Sequence, residues 1–137
     1  MKQTDVIALF RQAIATYEGF YLNAKQAALQ KVKLPTLAQK NCNPGNLRSW
    51  GTRPVVNGYA QFPNNEEGFK ALDTQIRKVI AKGLTFKEFF SGKVNVYPGY
   101  APAADKNDPD KYATFVVKAF PGATIDTIIE SLIDINS

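Results

Sequence analysis

Tyr17-Glu18-Gly19-Phe20-Tyr21 sets one carboxylate among aromatic rings at the point where the first helical pattern of the chain stops. Upstream, Val6, Ile7, Phe10, Ala13, Ile14 and Tyr17 recur at the three-and-four spacing of an amphipathic helix, with Thr4 and Asp5 as N-cap candidates. Glu18 falls four residues after Ile14, on the border of the buried stripe, and Gly19 lets the chain turn away. A carboxyl so placed is expected to be desolvated by the neighbouring rings, which disfavours its charged form and raises its pKa toward the range of a general acid. A glutamate that merely ends a helix in solvent has the same local sequence, so the rest of the chain must discriminate.

Downstream, the pattern is helical with short interruptions. Asn23 to Val32 is predicted to form a weaker second helix broken by Leu34-Pro35-Thr36, and the turn formers of 41–51 predict an irregular loop. Asn57-Gly58 is a hairpin turn whose returning strand, Tyr59 to Phe62, pairs with residues near Leu47 or with Val55-Val56. Asn64 or Asn65 caps a helix with Phe69, Leu72, Ile76, Val79 and Ile80 on one face, ended by Gly83. Thr85-Phe86-Lys87-Glu88 has capping-box spacing, and Asp108-Pro109 opens a helix with Tyr112, Phe115, Val116 and Ala119 inward. Thr124 is predicted to cap a last helix from Ile125 to Ile135. The fold class that follows is mainly α, an α+β chain with one short β-hairpin, organised as a single domain over residues 1–137.

Composition excludes whole classes of chemistry. With no histidine and one cysteine, Cys42, the chain has no Ser-His-Asp triad, no Cys-His pair, no His-based zinc site and no internal disulfide. Cys42 has no base beside it in sequence and reads as a small buried filler. Proton transfer must use carboxylates, tyrosines or lysines; no metal and no cofactor are expected. A formal net charge of +5 favours polyanionic partners, among them nucleic acid, anionic lipid and bacterial cell wall, but the basic residues are scattered as on a solvated face, so no specific nucleic-acid site is expected. No apolar run approaches the roughly 18 residues of a transmembrane helix, and no signal peptide opens the chain. A soluble product of the cytoplasm is expected.

Three polar loops, Glu18 to Tyr21, Asn43 to Trp50 and Tyr100 to Asp108, each combine rings with amides or carboxyls. That mixture suits sugars, whose faces stack on rings while their hydroxyls need fixed donors and acceptors. Glu-Gly-Phe-Tyr at 18–21, Asn-Pro-Gly-Asn-Leu-Arg at 43–48 with Trp50, Gly-Tyr-Ala-Gln-Phe at 58–62 with Glu67-Gly68-Phe69, and Tyr-Ala-Pro at 100–102 with Asn107-Asp108 and Tyr112 follow in register. In this order they resemble small phage- and prophage-encoded lysozyme-like peptidoglycan lytic enzymes, the superfamily of soluble lytic transglycosylases and muramidases, over roughly residues 5 to 120.

The resemblance implies a lysozyme-like helical domain with its hairpin beside the cleft, acting on the glycan strands of peptidoglycan, in company with phage virion proteins where the enzyme is carried in the particle. It implies Glu18 as the catalytic acid and Asn43, Asn46, Arg48, Trp50, Tyr59, Tyr100 and Tyr112 as the residues that bind substrate, with Tyr112 or Tyr100 orienting the glutamate. Cys42 departs from the asparagine usual at that place, and the spacer from Tyr21 to Asn43 is longer than usual. A hydrolase needs a second carboxylate, roughly 6.5–9.5 Å from the first for inversion or 5–5.5 Å for retention. Glu67, Glu66, Asp108 and Asp105 are the candidates. Without one, the route is a transglycosylase that closes a 1,6-anhydro ring on N-acetylmuramic acid. A wall-binding virion module without turnover fits the same sequence.

Overall fold

In a computed structural model, which describes residues 1–135, the chain is mainly helical with one small antiparallel sheet. It forms two compact units: Met1–Ala13 together with the chain from Gln75 onward, and Ile14–Thr74. Helices α1 (Gln3–Tyr17) and α4 (Asn65–Ile80) contribute residues to both.

The unit Ile14–Thr74 holds α2 (Ala24–Gln30), α3 (Leu37–Lys40) and the strands β1 (Val55–Val56) and β2 (Tyr59–Ala60). Asn23 caps α2 in a capping box with Gln26, as the Asn-x-x-Gln spacing allows. The proline segment does more than interrupt. Thr36 opens α3 by an identical device, its hydroxyl accepting from the Gln39 amide while Gln39 Oε1 accepts from the Thr36 amide at 2.8 Å. The hairpin pairs Val55 with Ala60 and Val56 with Tyr59. Ala60 also donates to the Leu47 carbonyl at 2.9 Å, so both predicted partners of this strand engage it. The strand is shorter than expected because Pro54, next in register and accepting from the Gln61 amide at 2.8 Å, has no N–H to return, and Phe62 donates to Asn41 instead. Ile14, Ala15, Ala38, Leu47, Ala60, Phe62 and Leu72 are buried here.

In α4 the Asn64 side chain accepts from the Glu67 amide, Glu66 and Glu67 lie in the first turn, and Arg77 and Lys78 lie in the last. Both ends thus complement the helix dipole. Gly68 is the contact point of this helix with the loop before the hairpin. A Cβ there would lie 1.9 Å from the Cys42 carbonyl oxygen, so only glycine permits the approach.

The second unit is built on phenylalanines. The ring of Phe10 lies 4.6 Å from Phe89, 5.7 Å from Phe86, and 6.1 Å from both Phe90 and Phe120. Helix α5 (Phe86–Ser91) supplies three of these rings behind its Thr85–Glu88 capping box. It packs on α6 (Pro109–Val117), where Asp108 caps the first turn and Tyr112 stacks on Phe90 at 4.3 Å. Tyr97, packed 6.4 Å from Phe89, has its phenol pushed up to about 12 by burial, against a Gln75 hydrogen bond that acts the other way.

The predicted last helix does not form. Residues 124–127 make a turn, Ile128 bridges Thr85, and only a single 3-10 turn follows at Ile129–Leu132. The cause is a competing demand for carbonyls. Phe86 and Lys87 occupy the first turn of α5, where amides have no partner within the helix. They donate instead to Thr127 at 3.2 Å and Ile125 at 2.9 Å, while Ile129 donates to Leu84 at 3.0 Å. A run of β-branched residues gives up helix at little cost.

Candidate functional site

The turn that ends α1 forms because Gly19 takes a φ of +80°. Gly19 then donates to the Thr16 carbonyl and Phe20 to the Ala15 carbonyl, the two bonds of a Schellman cap. Glu18 is the last residue before this reversal, its own amide still bonded to Ile14. The side chain is half-buried.

Two residues on and before α3 clamp the turn from the other side. The Thr36 hydroxyl donates to the Gly19 carbonyl at 3.2 Å, and Gln39 Nε2 donates to the carbonyls of Phe20 at 3.0 Å and Leu22 at 3.1 Å. Phe20 sets its ring edge-on to Phe69 at 5.2 Å and to Tyr21 at 5.3 Å. The carboxylate-bearing turn is therefore held by three polar bonds and an aromatic trio. A free helix end has none of these. Sequence reading missed Thr36 and Gln39, although the Thr-x-x-Gln spacing carried the signal.

Across from the turn stands the loop 41–47. Asn46 Nδ2 donates to Glu18 Oε1 at 3.0 Å, the bond that joins the two motifs. Asn46 adopts a φ of +47°, a left-handed conformation that asparagine tolerates better than most residues. Asn43 is fully buried. Its amide donates to the Leu47 and Ala60 carbonyls, and its oxygen accepts from the Leu47 amide, all at 2.9 Å. Asn43 therefore shapes the loop from inside instead of lining a surface. Asn41, also buried, ties the loop to Val56.

Of the remaining candidates, Arg48, Trp50, Tyr59, Glu66 and Glu67 belong to the unit Ile14–Thr74, and Tyr100, Tyr112, Asp105 and Asp108 to the other. Arg48 lies over the ring of Tyr59, 5.1 Å from its centroid, a cation–π pair on the loop-to-hairpin edge. Trp50 borders a groove of about 260 Å³ with Arg53, Phe62, Glu67, Lys70 and Ala71. Tyr100 and Tyr112 meet edge-on at 6.1 Å among Phe89 and Phe90, with Tyr112 almost wholly buried. Of the acids, Glu67 pairs with Lys70 at 3.5 Å, Glu66 is exposed in the first turn of α4, Asp105 ends a 3-10 turn, and Asp108 caps α6.

Among the described residues no cluster of three His, Cys, Asp or Glu side chains is placed to hold a metal ion, and no helix is long and apolar enough to cross a membrane. The Glu18 carboxyl thus stands at a clamped helix end and accepts from the Asn46 carboxamide. No family model, no curated protein and no solved structure matches the chain.

Proposed function

We propose that this chain is a peptidoglycan-cleaving glycosidase of lysozyme-like design that cuts the β-1,4 bond between N-acetylmuramic acid and N-acetylglucosamine, with Glu18 as its acid and base. The Glu18–Asn46 hydrogen bond carries the reading, since it joins the two motifs that the resemblance singles out. A general acid has to be presented in one orientation, and the clamp from Thr36 and Gln39 supplies that rigidity.

In the transglycosylase route Glu18 protonates the glycosidic oxygen as the bond to the anomeric carbon breaks. The resulting carboxylate accepts the proton of the muramic acid 6-hydroxyl, and O6 closes onto the anomeric carbon. One C–O bond is broken and one is made, no water is consumed, and Glu18 ends protonated as it began. Asn46 suits both halves of the cycle. Its amide nitrogen donates to the carboxylate, and half a turn of the carboxamide would present the oxygen to a protonated acid.

Glu18→Gln keeps the side chain's size and removes the transferable proton, so turnover of purified cell walls should fall by about 10²–10⁴-fold or more with folding unchanged by circular dichroism. Clearing at the wild-type rate by this variant would defeat the assignment. Product masses divide the chemistries: anhydro ends mark the transglycosylase, and reducing ends mark a hydrolase that uses a second carboxylate. Wall binding by the wild-type protein with no product released would leave a binding module.

A further inference from the structure

The groove beside Trp50 has chemistry of its own, distinct from the Glu18 turn. The buried Phe62 and Ala71 line it together with Trp50. Arg53 lines it with one of its five guanidinium N–H groups engaged: Nε donates to the Gln61 carbonyl at 2.9 Å, and among the described residues nothing pairs with its two terminal nitrogens. Lys70 adds a second cation. Its only ion-pair partner among the described residues is Glu67, at 3.5 Å between exposed side chains on one helix face, an interaction weak enough to yield to a ligand.

Anchored through Nε, the arginine keeps its pair of terminal nitrogens for a ligand, and such a pair can receive both oxygens of a carboxylate. The apolar lining of Phe62, Ala71 and Trp50 fits a short aliphatic group next to that carboxylate. A volume of about 260 Å³ leaves room for such a group.

We propose that this groove binds a carboxylate carried on a methyl-bearing carbon, with Arg53 gripping the carboxylate, Lys70 adding charge, and Trp50, Phe62 and Ala71 covering the methyl. Resting on the cell-wall reading above, the groove has two sources for this chemistry: the alanine end of a peptide stem, and the lactyl group of muramic acid where no peptide is attached. Either would hold the wall polymer at a second point away from the bond being cut.

Trp50 is the only tryptophan, so its fluorescence reports on this groove alone. Full-length protein is titrated with N-acetyl-D-alanyl-D-alanine, with N-acetylmuramic acid, and with the amide of each. A saturable change with one of the acids, in the millimolar range expected for a small ligand held at one carboxylate and one methyl, supports the site, and whichever acid gives it identifies the source. The change should weaken at least tenfold in Arg53→Gln and persist in Glu18→Gln. Equal binding of acid and amide, no saturable change with either acid, or undiminished binding by folded Arg53→Gln overturns it. Because Arg53 also braces the Gln61 backbone, Lys70→Gln is the companion variant, and it must weaken binding of the acid more than of the amide. Binding without wall cleavage would keep the groove and remove the glycosidase. Cleavage without binding would do the reverse.

Discussion

Glu18 and Asn46 are 28 positions apart and meet at 3.0 Å, so the value of that contact is open to a direct measurement. Replacing Asn46 by alanine would confuse two effects, because the backbone there is left-handed and a Cβ without a polar group strains it. Asn46→Gly separates them: glycine accepts the backbone and deletes only the carboxamide. A hydrogen bond to a charged group is worth about 1.5–3 kcal/mol, so under the glycosidase proposal kcat on soluble glycan fragments should drop by roughly tenfold to a hundredfold while the melting temperature barely moves. An unchanged kcat would show that the amide does not position the acid. A large fall in melting temperature would show that it is a brace for the loop.

At the scale of the element, caps decide where helices begin, and the cap of α5 also sets a pH dependence. Glu88 is held below its ordinary value of 4.5, first by the Thr85 backbone amide donating to it at 3.0 Å, then by Lys93 nearby and the Thr85 side chain, with partial burial opposing. A carboxyl whose pKa is lower folded than unfolded stabilises the fold above its unfolded value and loses that contribution as pH falls through the folded one. Glutamine can still accept the Thr85 amide but carries no charge. The stability gap between wild type and Glu88→Gln should therefore be full at neutral pH, shrink below about pH 4.5, and vanish in stronger acid. Urea unfolding at a series of pH values measures it, and a gap that stays constant with pH would mean that the charge contributes nothing to the cap.

Across the whole molecule, what could be read in the sequence was local. The caps of α4, α5 and α6 were legible because each depends on residues within one turn, and the Asn57-Gly58 hairpin because its turn fixes its register. The last helix was misread because its carbonyls are claimed by α5 some forty positions earlier, a demand no local pattern displays. The site divides in the same way. Glu18 stood out as a carboxyl in an aromatic pattern and Asn46 through the family resemblance, whereas the close approach of Gly68 to the Cys42 carbonyl and the grip of Gln39 on the Phe20 carbonyl are products of packing. Packing is also where global stability concentrates. Phe10 is fully buried against four other phenylalanines, all in its own unit. Truncating a buried phenylalanine to alanine costs about 3–5 kcal/mol, against a total stability of about 5–15 kcal/mol for a domain. Phe10→Ala should therefore lower the urea midpoint steeply, and Phe10→Leu, which refills most of the volume, should recover much of the loss. If Phe10→Ala instead costs less than about 1 kcal/mol, within reach of an ordinary surface change, the ring cluster is not the core on which this unit depends.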